Sequence, residues 1–304
     1  MRIILIGQAA FAERVLDGLR AADHEVVATY SPPDQPGAKA DPFAARAAAL
    51  GIPAHRHKSL KGADVAREAA AYDADLGVLA YVTQIVPSAM FEAPKLGSIC
   101  FHPSLLPRFR GGSAIPWQII KGETHTGVSV FWVDPGIDTG PILLQREAEI
   151  GPDDTAASLY YDTLFQLGVD TVIDAVTLIA GGSPPRIAQD ESRATYDPLC
   201  RDEHAAIDWQ RPVADIYNLI RGCDPQPGAF VRRGGEVVRC HDARRADATS
   251  GSPGSIAAIG PDGVTIAAPG GAIRIGRLRV GAKKLPAAEA AAQLGLQVGD
   301  RFGD

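Results

Sequence analysis

Apolar, β-branched runs alternate with helix-forming stretches through the first two-thirds of the chain. The predicted strands of this part cover residues 2–6, 26–30, 76–80, 98–101 and 128–132. Side chains that repeat at helical spacing predict helices over residues 11–22, 41–50, 64–71 and 155–179. Because strand–helix–strand alternation places helices on both faces of a sheet, the pattern predicts a Rossmann-like α/β fold with a mainly parallel sheet.

The pattern changes after Pro184 and Pro185. One helix is predicted over residues 212–221, and from about Gly228 onward short strands are separated by turn-forming residues. Such spacing is typical of a small β-barrel, and we predict an OB-like one. The predicted organisation is a catalytic domain at residues 1–188, a linker at 189–207 and a C-terminal β-barrel domain at 208–304.

Length and charge narrow the class of protein. The chain has 304 residues, a formal net charge of −6 and 46% hydrophobic residues, enough for a sizeable core. No apolar run is expected to span a bilayer, which takes about 20 residues, and no signal segment follows Met1. We therefore expect a cytoplasmic protein without a membrane partner. Residues 1–205 carry a net charge of −9 and residues 206–304 one of +3, and the acidic total argues against a general nucleic-acid coat.

Signatures of bound cofactors are weak. The first strand leads into Gly7-Gln-Ala-Ala-Phe11, which lacks the second and third glycines of a dinucleotide-binding turn, so we predict no nicotinamide cofactor. The four cysteines are widely spaced. Five histidines lack partners at metal-ligand spacing, namely His55, His57, His125, His204 and His241. We therefore predict no metal.

Candidate chemistry concentrates in residues 97–144. His102 directly follows a predicted strand, and Asp138 lies in a glycine-rich loop that follows another. Ligands of open α/β sheets bind at the carboxyl ends of strands, so two strand ends could bring these side chains together. A carboxylate beside an imidazole fixes its tautomer and favours its charged form, and such a pair can move protons near neutral pH. For these two residues alone a structural role is the more common one, because a single His followed by Pro is more often structural than catalytic.

Two longer motifs surround these residues. Residues 102–111 read His-Pro-Ser-Leu-Leu-Pro-Arg-Phe-Arg-Gly, and residues 134–141 read Asp-Pro-Gly-Ile-Asp-Thr-Gly-Pro. Both resemble signatures of the 10-formyltetrahydrofolate-dependent formyltransferase family, and the resemblance spans essentially the whole chain. Residues 113–117 and 130–132 are most similar to the hydrolase domain of 10-formyltetrahydrofolate dehydrogenase. The ending, residues 296–301, is similar to that of methionyl-tRNA formyltransferase.

The resemblance implies a folate-dependent one-carbon enzyme with a formyltransferase-type catalytic domain. Its formyl donor would be 10-formyltetrahydrofolate, a small-molecule folate, and its acceptor would be water or a small amine. His102 would stabilise the oxyanion or protonate the leaving N10 nitrogen, while Asp138 would hold the proton of His102 and position the attacking group. The folate pterin would bind against Gln84, Ile85 and Val86 and against the loop of Asp134, Pro135, Gly136, Ile137 and Asp138.

One position departs from the family pattern. Most transferases of the family carry Asn two residues before the histidine, as a hydrogen-bond donor to the oxyanion, where this chain has Cys100. Loss of one such donor lowers the rate by about 10²–10³-fold, and a thiol is a weak donor. Cys100 is the third candidate catalytic residue, beside His102 and Asp138.

Two alternative functions stay open. A methionyl-tRNA formyltransferase needs a basic surface for RNA, but residues 31–50 contain only Lys39 and Arg46 against Asp34 and Asp41, so tRNA is the less favoured partner. A catalytically weak folate-binding protein would also be compatible with the absence of the family Asn.

Overall fold

The computed structural model describes residues 1–247 and 250–303, which form two compact units that interleave along the chain. The first unit comprises Met1–Gly112, Thr126–Ala148 and Asp162–Asp197. The second comprises Ser113–His125, Glu149–Tyr161 and Pro198–Asp304. The boundaries that the sequence suggests, at residues 188 and 208, stay a prediction.

The first unit is built on a seven-stranded sheet with the order β3-β2-β1-β4-β5-β6-β7. Its strands are β1 Arg2–Gly7, β2 Glu25–Ser31, β3 Ala54–Arg56, β4 Leu76–Ala80, β5 Ser98–His102, β6 His125–Trp132 and β7 Ile142–Glu149. The pairs from β3 to β5 are parallel, which confirms a mainly parallel α/β sheet. β6 runs antiparallel to β5, a direction that the sequence pattern did not predict.

The helices are α1 Ala9–Ala21, α2 Pro42–Ala49, α3 Ala63–Ala70, α4 Ser88–Phe91, α5 Ala114–Ile120, α6 Ala156–Ser158, α7 Phe165–Ala180, α8 Val213–Gly222 and α9 Ala287–Gln293. α1, α2, α3 and α8 begin and end within two residues of the predicted positions, the helix predicted over residues 155–179 is divided into α6 and α7, and α4, α5 and α9 were not predicted. Asp41 caps α2 by accepting a hydrogen bond from the Ala44 N–H at 3.2 Å, and Pro42 takes the first-turn position, where no N–H is needed. A π-helical stretch, Leu159–Leu164, joins α6 to α7.

Helix α7 packs closely within the first unit. A Cβ on Gly168 would lie 2.5 Å from the Phe101 ring of β5, and a Cβ on Gly18 of α1 would lie 2.2 Å from Ile173 of α7. Because both residues are glycines without a Cβ, α7 can pack closely against β5 and α1. By length and composition alone, Ala156–Ala180 could also cross a membrane. Core helices of globular proteins pass the same test, and seven residues of α7 are buried here.

The second unit contains an antiparallel sheet with the order β10-β11-β12-β9-β8, and β13 pairs with β12. Its strands are β8 Phe230–Arg233, β9 Glu236–Ala246, β10 Ile256–Gly260, β11 Gly263–Ala268, β12 Gly271–Val280 and β13 Lys283–Pro286. The apolar face of α8, with Ile216 and Ile220, is buried in the same core as Val238 and Ile273. A separate antiparallel β domain is thus confirmed, and its closure into an OB-like barrel stays a prediction.

Candidate active site

His102 is the last residue of β5, and its side chain is only 7% exposed. Its Nε2 lies 2.7 Å from the carbonyl oxygen of Phe109. Because a carbonyl oxygen only accepts hydrogen bonds, Nε2 carries a proton and is the donor. The other ring nitrogen, Nδ1, lies 3.5 Å from the Oδ2 of Asp138. The backbone therefore holds one nitrogen of the imidazole, and the other faces a carboxylate.

Asp138 reaches His102 by a route that differs from the predicted one. β6 runs antiparallel to β5 and places Trp132 opposite Ile99, so β6 ends beside the start of β5 and not beside His102. Residues 133–141 form a loop that doubles back, and it closes where the Trp132 N–H donates to the carbonyl of Pro141 at 2.8 Å. The two side chains do lie together, but a returning loop, not a second parallel strand end, brings Asp138 there.

The backbone of Asp138 is left-handed, with φ of 56°, a conformation that few non-glycine residues adopt. Its Oδ2 accepts a hydrogen bond from the Gly111 N–H at 2.7 Å, and its carbonyl accepts one from Gln189 Nε2 at 2.9 Å. Two residues later, a Cβ on Gly140 would lie 1.7 Å from the carbonyl oxygen of Trp132, so only glycine fits. Strained positions of this kind persist where their surroundings hold them, and they concentrate at functional sites.

Gln189 is a positioning residue that the sequence pattern missed, because it falls in the predicted linker. Its Nε2 donates to the carbonyl oxygens of Asp138 and, at 2.7 Å, Gly140. Its Oε1 accepts from Arg110 Nη2 at 2.8 Å, and Arg110 also forms a two-pronged ion pair with Glu191 at 2.7 and 2.9 Å. The sequence gives no signal of this role beyond the family resemblance, which spans essentially the whole chain.

In the predicted folate loop, the Asp134 carboxylate stabilises the loop itself. Its Oδ1 accepts hydrogen bonds from the Thr139 hydroxyl at 2.6 Å and from the Gly136 N–H at 3.0 Å. Pro135 and Gly136 are exposed, and the Ile137 side chain is 58% exposed. The loop thus presents an apolar side chain to solvent immediately before Asp138.

Residues 84–86 follow β4, and the parallel pairing of β4 with β5 directs them to the sheet edge where β5 ends. Gln84 Nε2 donates to the carbonyl oxygen of His57 at 3.1 Å, while the Gln84 Oε1 is enclosed without a hydrogen-bond partner. Ile85 is 70% exposed, and Val86 packs partly against the core. A bound molecule could satisfy both the enclosed amide oxygen and the exposed isoleucine.

Cys100 and His102 are two residues apart on β5, so their side chains share a face of the sheet. The thiol packs against Leu106, Phe131 and Ile142. Burial, followed by the negative charge of Asp138, raises the pKa of the Cys100 thiol. Because the thiolate is the reactive form, this position is unsuited to covalent attack at neutral pH. A catalytic role for Cys100 of another kind stays a prediction.

Comparison with protein families agrees with this architecture. Residues 1–176, more than half of the chain, match the formyl transferase domain, and residues 200–294 match the formyl transferase C-terminal domain. The chain belongs to the formyl transferase family. Its two matched regions correspond to the parallel α/β sheet and to the antiparallel β sheet described above.

Individual relatives of this chain differ in length and in name. A mitochondrial 10-formyltetrahydrofolate dehydrogenase from Mus musculus is 44% identical over 243 residues, which are 78% of this chain and 26% of the relative. The chain therefore spans about a quarter of that dehydrogenase. A methionyl-tRNA formyltransferase from Trichlorobacter lovleyi is 37% identical over 293 residues, 94% of this chain and 92% of the relative.

A solved structure shares the fold of this chain. HypX from Aquifex aeolicus, crystallised in complex with tetrahydrofolic acid, has a TM-score of 0.72 and 23% sequence identity. The similarity covers 98% of this chain and 48% of HypX. At that identity the likeness establishes the fold alone.

The geometry of the site defines what the pair of His102 and Asp138 can do. Since the Nε2–H of His102 is held by the Phe109 carbonyl, Nδ1 is the nitrogen that can exchange a proton with a bound molecule. The Asp138 carboxylate, 17% exposed, can share that proton or stabilise the charge that it leaves on the ring. Low exposure strengthens this interaction because little water screens it.

Proposed function

We propose that this protein acts on the formyl group of 10-formyltetrahydrofolate, either hydrolysing it to tetrahydrofolate and formate or transferring it to a small amine. The observation that carries the proposal is the enclosed pair of His102 and Asp138 at the end of β5. Membership of the formyl transferase family supports the formyl chemistry, and the 44% identity to a 10-formyltetrahydrofolate dehydrogenase supports the folate.

The reaction exchanges one bond at the formyl carbon. The oxygen of water, or the nitrogen of an amine, forms a bond to that carbon. The bond between the formyl carbon and folate N10 then breaks. In hydrolysis, water supplies the hydroxyl of formic acid and N10 gains a proton. In this proposal the Nδ1 of His102 accepts the proton that the nucleophile loses; the Nδ1–H so formed stabilises the oxyanion and then passes that proton to N10, while Asp138 stabilises the imidazolium and orients the nucleophile.

The folate would bind beside this pair. Ile85 and Ile137 are exposed apolar side chains on the two segments proposed to contact the pterin, and the enclosed Gln84 Oε1 could accept a hydrogen bond from a ring N–H. The Asp134 carboxylate is already engaged with Thr139 and Gly136. We therefore assign Asp134 to the shape of the loop and the pterin contacts to the backbone of residues 135–138.

One observation favours a second candidate function, methionyl-tRNA formyltransferase. A relative of that name aligns with 94% of this chain, whereas the dehydrogenase relative aligns with 78%. Against it, residues 31–50 provide only two basic side chains. The choice depends on the acceptor and is settled by assay.

The test is incubation of the intact protein with 10-formyltetrahydrofolate, alone, with amino-sugar nucleotides, and with methionyl initiator tRNA. Formate released at the same rate as tetrahydrofolate, without an acceptor, is the expected result. Consumption only with methionyl-tRNA would establish the second candidate. Folate binding without loss of the formyl group would mean a binding protein. His102→Ala and Asp138→Ala should each abolish turnover, and unchanged rates would refute the proposed site.

A further inference from the structure

A second cluster of titratable side chains lies where β3 ends. His55 belongs to β3, His57 follows that strand by one residue, and Glu68 lies on α3. The Oε1 of Glu68 is 3.0 Å from His55 Nδ1 and 3.2 Å from His57 Nε2. Over residues 1–247 and 250–303, this is the one set of three His, Cys, Asp or Glu side chains whose ligand atoms all lie within 4.8 Å of one another.

The local fold explains why these three side chains meet. Alternate residues of an extended segment point to the same side, so the rings of His55 and His57 lie 6.2 Å apart and nearly parallel, at 7°. In the pairing of β2 with β3, Tyr30 lies opposite His55 and stacks on its ring at 4.8 Å. Glu68 adjoins the buried face of α3, formed by Val65, Ala66 and Ala69, and therefore faces the strand.

The surrounding contacts are those that a metal ligand requires. The Nε2 of His55 lies 2.7 Å from the Tyr72 hydroxyl, which fixes the ring and directs Nδ1 into the cluster. The Tyr30 hydroxyl is enclosed beside Glu68, so the cluster is closed on the side of β2.

The distances suit a tetrahedral divalent ion. Ligand bonds of about 2.0–2.1 Å around Zn²⁺ put neighbouring ligand atoms about 3.3 Å apart. The observed separations of 3.0 and 3.2 Å from Glu68 to the two imidazoles are close to that value. The side chains are 21%, 29% and 36% exposed for His55, His57 and Glu68, so water can reach a fourth position. Two imidazoles with one carboxylate are a ligand set for a first-row transition metal.

We propose that His55, His57 and Glu68 bind a divalent transition-metal ion of the Zn²⁺ type, with Tyr72 as the hydrogen-bonding partner of His55. The site uses neither His102 nor Asp138, so it stands or falls independently of the proposed function. The sequence suggested no metal because the third ligand comes from a different element, 11 residues beyond His57 in numbering. Spacing along one segment cannot reveal such a ligand.

The test is titration of the intact protein with Zn²⁺ alone, after treatment with a chelator and dialysis. One equivalent of Zn²⁺ should bind per chain, and the Tm should rise with it. Tyr72→Phe should weaken binding by about 10–100-fold, the usual effect of losing an outer partner. His57→Ala and Glu68→Gln remove or neutralise a ligand, so each should weaken it further.

His125→Ala is the matched control, because His125 is an exposed histidine outside the cluster. This variant should bind Zn²⁺ as the wild type does, and every variant should keep the metal-free Tm within a few degrees, which separates loss of a ligand from loss of the fold. Two results would overturn the proposal. One is wild-type binding no tighter than that of the His55→Ala/His57→Ala double variant. The other is a loss of Zn²⁺ binding in His125→Ala as large as the loss in the variants of the cluster.

Discussion

Replacing Asp138 by Asn tests whether the carboxylate acts through its charge or only through its shape. Asn keeps the size of the side chain, and its amide oxygen can still accept the Gly111 N–H that Asp138 Oδ2 accepts at 2.7 Å. What disappears is the negative charge 3.5 Å from His102 Nδ1. We therefore expect the loop to keep its position while the pair loses its ability to stabilise a proton on the imidazole.

The size of the effect follows from the separation of the two groups. An ion pair at that distance is worth about 5 kcal/mol at an effective dielectric constant of about 20. The low value of that constant is appropriate because His102 and Asp138 are only 7% and 17% exposed. If the imidazolium forms only in the transition state, Asp138→Asn raises the activation free energy by this whole amount. Turnover should then fall by about 10³-fold.

The assay is steady-state release of tetrahydrofolate from 10-formyltetrahydrofolate, with folate affinity measured separately by equilibrium binding. For Asp138→Asn we expect the loss in kcat and little change in affinity for folate. Asp262→Asn, the same substitution in an exposed turn, is the control and should be silent. If Asp138→Asn keeps turnover within about tenfold of the wild type, the ionic role of Asp138 is refuted.

Four further predictions concern the surroundings of the pair and the second unit. Cys100→Asn should raise transfer to amines relative to hydrolysis, because one added oxyanion donor can contribute about 10²–10³-fold, and a ratio equal to that of Cys100→Ala would contradict this. Gln189→Ala should lower the free energy of unfolding by about 1–3 kcal/mol in urea titration by leaving enclosed carbonyls unpaired, and an unchanged midpoint would count against the network. Gly140→Ala should destabilise by about 1–3 kcal/mol because its Cβ would lie 1.7 Å from a carbonyl oxygen, whereas Gly260→Ala, with open space around it, should not. Burial is the largest single influence on the pKa of Asp224 and raises it, but the hydrogen bonds from His241 and from the Asp242 N–H, together with nearby positive charge, outweigh burial and hold the pKa below its ordinary 3.8. This stabilisation is therefore present above about pH 4 and disappears as acid protonates the folded carboxyl; Asp224→Asn should flatten the acid arm of the unfolding curve, and an equally steep arm would refute the assignment.

The strands and helices of the first unit were largely predictable because their signals are local. The run at 76–80 is observed as β4 with the same bounds, and the helix predicted over residues 41–50 is observed as α2, Pro42–Ala49. The direction of β6 was not predictable in this way. An antiparallel strand carries the same apolar alternation as a parallel one, and the pairing partner is decided by distant parts of the chain.

Only the part of the site that lies within the motifs at residues 102–111 and 134–141 was predictable from the sequence. The motif places His102 and Asp138 in one site, and the structure brings their side chains to 3.5 Å. It does not reveal Gln189, which contacts the loop of Asp138 from 51 residues away in the sequence. Hydrogen bonds between residues so far apart leave no periodic pattern in the sequence. A polar segment after two prolines is as typical of a connector as of a segment that supports an active site.

That segment determines the orientation of both members of the pair. The Thr195 Oγ1 accepts the Phe109 N–H at 2.7 Å, and the carbonyl of the same Phe109, whose φ is 59°, accepts the His102 Nε2–H. Gln189 holds the carbonyl of Asp138 in the same way. One stretch of chain therefore fixes which imidazole nitrogen is free and where the carboxylate faces it. Because neither Gln189 nor Thr195 need touch the substrate for this, changes there should alter kcat through the geometry of the pair and leave its chemistry intact.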